Sequence, residues 1–243
     1  MSKGTIISLC DYTGIMVKPW VEAGYKAVLV DPQHSEYSLD NNIERIPLFL
    51  LNALSRLGEI IRTENVVFVA AFPPCTDVAV SGAAHFEAKA AKDKHFQAKA
   101  ALVAEQCRTL GEVSGAPWFF ENPVSVFASI FGKPNYTFDP YEYGGYLDEG
   151  DKHPEYPDII APRDAYPKKT CLWVGNDFLM PEKLPVPVRP GYSDQHHKLG
   201  GRSIKTKNIR SATPRGFATA VFLTNAPHIK NKDGSSVKEK PCT

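Results

Sequence analysis

Cysteine is scarce in this sequence. There are five in 243 residues, an odd number spread along the chain. That is not the paired framework of a small secreted domain, so a reducing, cytoplasmic setting is expected. No CxxC or HxxxH spacing occurs, which argues against a metal site. No apolar run approaches the ~18 residues a membrane helix needs, and residues 1–6 contain no signal-peptide core. Glycine is thin where a dinucleotide fold would need it. The loop after the first expected strand holds only Gly14, so a pyrophosphate cofactor such as NAD is disfavoured and a nucleoside cofactor without phosphates fits better.

The length suits one α/β domain with a sizeable core. A composition of 43% hydrophobic and 23% charged residues excludes disordered, collagen-like and disulfide-scaffold classes. The formal net charge of +1 hides an asymmetry. Residues 1–162 carry 13 Lys and Arg against 21 Asp and Glu; residues 163–243 carry 15 against 6. A basic half of this kind favours an anionic partner such as nucleic acid.

Residues 5–9 and 25–30 read as strands flanking a helix over 16–23, with Pro19 early in it and Gly24 as its stop. Such a unit is the layout of a mononucleotide-binding half. Residues 43–62 read as a helix, 66–72 as a strand buried on both faces, 83–113 as one Ala-rich helix, and 118–120 and 169–174 as strands. Thr213 is read as the N-cap and Pro214 as the first residue of a last helix over 215–225. Residues 177–212 show little helix or strand pattern, and 230–243 read as a frayed polar tail. Alternating strands and helices predict a three-layer α/β fold of Rossmann type with a mostly parallel sheet. In such sheets ligands lie beyond the carboxyl ends of the strands. Four marked segments fall there: residues 10–14, Asp31, residues 73–75 and residues 121–123.

Each offers chemistry. A carboxylate at Asp31 can accept ribose hydroxyls. Cys75 follows two prolines that stiffen its turn, a setting for a nucleophile rather than a packing thiol. Cys107 reads as helix packing and Cys171 as strand core; His196 and His197 read as a solvated pair. Glu121 directly follows an aromatic strand, where desolvation would raise its pKa and make it a proton donor.

The ordered set Phe72-Pro73-Pro74-Cys75 and Glu121-Asn122-Pro123, after an opening strand–loop–helix–strand unit that ends at Asp31, resembles the DNA cytosine carbon-5 methyltransferases. The resemblance runs from residue 5 to about 225. It implies Cys75 as nucleophile, Glu121 as the group that protonates ring N3, and Lys168 or Lys169 balancing charge at the base carbonyl. It implies S-adenosylmethionine as cofactor, held by Asp11, Tyr12, Thr13, Gly14, Asp31, Pro32, Phe72, Pro73, Thr213 and Pro214. Only the last glycine of the family's FxGxG loop is present. Its QxRxR strand is Tyr166-Pro167-Lys168-Lys169-Thr170 here, and Pro123 ends the glutamate motif where the family has valine.

Only about 40 residues separate Cys171 from the final motif, where the family places a target-recognition domain. The chain therefore resembles compact phage-type members. The expected layout is a catalytic part (1–176 with 211–227), a reduced DNA-contacting part (177–210) and a flexible tail (228–243). The resemblance implies a partner, double-stranded DNA, with the target base flipped from the stack. Lys198, Arg202, Lys205, Lys207 and Arg210 form a basic segment expected to be a mobile loop on the phosphates. Thr76, Ser81 and Asn122 are expected beside the base. A short recognition sequence follows, because phosphate contacts carry no sequence information. Two alternatives stand beside this reading: a related transferase acting on RNA or a free nucleotide, and a catalytically silent nucleic-acid-binding relative.

Overall fold

The computed structural model describes residues 2–188 and 203–227. Eight strands form one sheet in the order β3-β4-β2-β1-β5-β6-β8-β7. They are β1 (Thr5–Leu9), β2 (Lys26–Val30), β3 (Ser38–Asp40), β4 (Ile43–Ile46), β5 (Val66–Ala71), β6 (Trp118–Pro123), β7 (Tyr136–Phe138) and β8 (Thr170–Gly175). The five central strands β4, β2, β1, β5 and β6 run parallel; β3, β8 and β7 pair antiparallel with their neighbours. The helices are α1 (Lys18–Glu22), α2 (Leu50–Thr63), α3 (Phe86–Lys92), α4 (Phe96–Ser114), α5 (Phe127–Ile130), α6 (Ile204–Ser211) and α7 (Arg215–Asn225). This is the α/β architecture expected, with a mostly parallel mixed sheet compatible with a Rossmann-like fold.

Side-chain alternation divides the core. Ile7, Leu9, Val28, Val30, Val69, Ala71 and Phe120 face α2 and α4. Ile6, Ala27, Leu29, Phe68, Ala70 and Phe119 face α1 and α7, meeting Trp20 and Phe217. Period-two strands between helical layers require such a split. Because β1, β2, β5 and β6 are parallel, their carboxyl ends share one edge. That edge carries residues 10–14, Asp31, residues 73–75 and residues 121–123.

Four local expectations are corrected. Residues 43–46 form β4, not the start of a helix. Pro47 restrains Ile46 to an extended conformation, and Glu44 and Ile46 alternate inward. The long helix over 83–113 is broken into a 3-10 turn (Val80–His85), α3 and α4. At the break, Asp93 Oδ1 accepts the His95 N–H at 3.0 Å, a local bond that competes with helix. The glutamate motif lies within β6, prolonged by its antiparallel pairing with β8. Residues 204–211 form α6, whose N-cap Ser203 accepts the Thr206 N–H at 3.1 Å. Lys205, Lys207 and Arg210 therefore sit on a helix rather than a loop. Lys198, Arg202, the His196–His197 pair and the tail over 230–243 lie outside the described residues.

Thr213 is not the cap of α7. Pro214 takes the N-cap position, and Asp164 supplies the acceptor, its Oδ2 taking the Gly216 N–H at 2.9 Å. Arg215 pairs with Asp151, with Nη1 at 2.6 Å from Oδ1. These contacts tie the start of α7 to the 3-10 turn Pro162–Asp164 and to Asp151, and Gly216 itself lies against Tyr143 of the 3-10 segment Pro140–Tyr146. A Cβ on Gly216 would lie 2.3 Å from the Tyr143 carbonyl oxygen, which is backbone and cannot rotate away. Gly216→Ala is therefore expected to lower the unfolding free energy in urea by about 2 kcal/mol.

Candidate functional site

Two of the marked segments are joined directly. Asn122 is buried, and its Nδ2 donates to the Pro73 carbonyl at 2.8 Å. This bond spans 49 residues and holds the end of β6 against the turn that carries Cys75. The Cys75 carbonyl accepts the N–H groups of Val78 and Ala79 at 3.1 and 2.9 Å, so the segment that carries Cys75 is itself one helical turn. Asn122, expected beside the base, is thus a strut of the site.

Glu121 faces a narrow crevice lined by Phe72, Phe138, Lys168, Thr170, Ser211, Thr213, Pro214 and Phe217. Its free volume is about 10 Å³, so a ligand must part the walls to enter. Glu121 Oε1 is buried with no hydrogen-bond partner among the described residues. Burial pushes the Glu121 carboxyl above its ordinary pKa, and the Lys168 charge pulls it partly back. Burial also raises the Cys75 thiol, as does the Glu121 charge; Lys168 and Lys89 oppose them. Cys75, Glu121 and Lys168 therefore feel one another's charges.

The two lysines differ. Lys168 lines the crevice, and its Nζ donates to the Arg210 carbonyl at 2.7 Å, linking the site to the end of α6. Lys169 is exposed and acts on Cys171. Of the two, only Lys168 lines the crevice with Glu121. Lys205 and Lys207 are exposed on α6, while Thr206 and Ile209 are buried beneath. Thr76 and Ser81 are exposed past Cys75. Cys107 and Cys171 are buried.

At the ends of β1 and β2, Asp11 proves to be a loop former. Its Oδ2 accepts from the Ser8 hydroxyl at 2.8 Å, and its Oδ1 from the Thr13 hydroxyl and the Gly14 N–H at 3.1 and 2.8 Å. Gly14 has φ +66°, a conformation glycine adopts without penalty. Asp31 is buried, with Oδ1 accepting the Gln33 N–H at 2.8 Å; burial raises its pKa. Pro32 is exposed.

Sequence reasoning missed His34. It is buried, its Nε2 has no partner among the described residues, and its ring lies 5.7 Å from that of exposed Tyr12. Burial lowers its pKa, keeping the ring neutral. Asp31, His34 and Tyr12 together offer a carboxylate, a neutral imidazole and an aromatic face, a donor set that fits a nucleoside. Among the described residues three buried polar atoms at this edge have no hydrogen-bond partner: His34 Nε2, Glu121 Oε1 and Asn122 Oδ1.

A larger open groove of about 810 Å³ lies between α4 and the aromatic floor of Trp118, Phe120 and Trp173. None of the expected site residues lines it. Among the described residues no group of three or more His, Cys, Asp or Glu could hold a metal, and no helix is long and apolar enough to cross a membrane. A scan against models of known protein families finds no match to this chain, and neither does a search of curated proteins.

Proposed function

We propose that this chain transfers the methyl group of S-adenosylmethionine to carbon-5 of a cytosine flipped out of double-stranded DNA. The observation that carries the reading is the Asn122–Pro73 bond. It brings the Phe-Pro-Pro-Cys and Glu-Asn-Pro motifs into one site, with a buried, unpaired glutamate oxygen beside the crevice.

Cytosine is a poor electrophile for a thiol, and its carbon-5 is a poor nucleophile. Attack of the Cys75 thiolate on carbon-6 overcomes both problems by making carbon-5 enamine-like. Glu121, whose carboxyl burial pushes above its ordinary pKa, in its protonated form donates to ring N3 and removes the negative charge that would otherwise build there. Lys168 keeps a positive charge near both groups. The cofactor, when bound, supplies an electrophilic methyl. Asp31, His34 and Tyr12 would hold its nucleoside end, and Phe72, Thr213 and Pro214 would wall the side toward Glu121. Loss of the carbon-5 proton and departure of Cys75 from carbon-6 release the methylated base.

Lys205 and Lys207, both exposed on α6, grip phosphate in this account. Lys205→Ala/Lys207→Ala is expected to weaken binding to all duplex sequences alike and to lower the slope of log affinity against log salt by about two, roughly one per lost phosphate contact. Fluorescence anisotropy across a salt series measures it, and an unchanged slope would place the DNA elsewhere.

The reading as a whole is tested by incubating the protein with tritiated S-adenosylmethionine and duplex DNA, RNA or dCMP, then digesting and identifying the labelled base. Labelled 5-methylcytosine from duplex DNA is expected. Label in RNA or dCMP alone would move the substrate class, and no labelled base from any of them would remove the transferase reading.

A further inference from the structure

Past Cys75 the chain makes the 3-10 turn and enters α3, whose Lys89 reaches back thirteen residues. Lys89 Nζ donates to the Thr76 carbonyl at 2.6 Å and to Asp77 Oδ1 at 2.7 Å. The same ammonium lies 5.9 Å from the centre of the Phe96 ring at the start of α4, and Phe96 packs edge-on against Phe86 of α3 at 5.7 Å. One cation thus ties the two residues after Cys75 to the α3–α4 corner. The side chains of Lys89 and Asp77 are 30% and 41% exposed, so their ion pair alone would stabilise little. The carbonyl bond gives the contact its direction.

Among the described residues the charged side chains that act on the thiol come from three places: Glu121 on β6, Lys168 before β8 and Lys89 of α3. Asp77, in the same turn as Cys75, is paired with Lys89. Losing Lys89 would remove one of the two cations that act on Cys75 among the described residues and leave the Asp77 carboxylate, two positions along the chain, without its Lys89 partner. Both changes disfavour the thiolate.

We propose that Lys89 is a positioning residue for the nucleophile: it clasps the backbone just past Cys75 and pairs with the Asp77 carboxylate of the same turn. The proposal rests on the reading of Cys75 as the nucleophile.

Its test does not require turnover. The rate of Cys75 alkylation by iodoacetamide is followed by peptide mass spectrometry across pH in the full chain and in Lys89→Met, Lys89→Arg and Asp77→Asn. In Lys89→Met the midpoint of the pH profile is expected to move up and the rate at pH 8 to fall about three- to tenfold, the size of a shift of half to one pKa unit. Lys89→Arg should restore most of the loss. Asp77→Asn should move the midpoint down, and it serves as the second reading where Lys89→Met folds poorly. A loop that is merely loosened would change the rate by one factor at every pH, leaving the midpoint in place. That result, or an unmoved midpoint in Asp77→Asn, overturns the proposal. Methylation that survives Cys75→Ser would overturn the assigned nucleophile instead, while the alkylation profiles would still report the clasp.

Discussion

Cys75→Ser is expected to reduce methyl transfer by at least about a thousandfold while leaving binding of S-adenosylhomocysteine unchanged. A hydroxyl fits the half-buried position, so folding is preserved. It does not ionise near neutrality and so does not replace a thiolate. Loss of a covalent nucleophile costs factors of this order or larger. Isothermal calorimetry with S-adenosylhomocysteine and a filter assay with tritiated cofactor separate the two effects. Residual transfer within tenfold of the parent would show that the sulfur does not attack.

Glu121→Gln is expected to lower the rate by about two to four orders of magnitude, the usual range for a lost proton donor, and to change the pH profile in a defined way. The active form carries a protonated Glu121 and an ionised Cys75. Burial raises both pKa values, so the rate rises with pH as active species accumulate and falls again once Glu121 deprotonation is no longer matched by new thiolate. The parent profile is therefore bell-shaped. Glutamine cannot lose a proton in this range, so the variant should rise with thiolate formation and stay level. A variant profile that keeps the falling limb would assign that limb to another group.

The sheet core and the site edge were legible in the sequence because both follow from period-two apolar runs and the turn residues that end them. Strands β1, β2 and β5 stand within a residue of their expected limits, and Cys75 and Glu121 lie on the common edge as parallel pairing requires. The misread elements share a cause: one local signal outweighed another. Pro47 should have ended any helix beginning at residue 43, and Asp93 should have broken the Ala-rich run. Ser203 is an N-cap signal hidden in a Gly- and Lys-rich segment. Other features lie beyond local pattern. The carboxylate that caps α7 comes from Asp164, 52 residues before Gly216. Asp11 has the type and place of a ligand, yet its carboxylate accepts from Ser8, Thr13 and Gly14, its neighbours in the chain. His34 carries no motif and becomes visible only once the fold buries it beside Asp31 and Tyr12.

The central claim is a bond between Cys75 and carbon-6 of cytosine. Duplex DNA in which 5-fluorocytosine replaces cytosine tests it most directly, because the fluorine at carbon-5 cannot leave as the proton does, so on this account the protein stays attached after methyl transfer. Denaturing electrophoresis with S-adenosylmethionine present, followed by peptide mapping of the shifted band, should find the DNA on Cys75. A band that maps to another residue, or no band from a preparation that methylates ordinary DNA, would contradict the account.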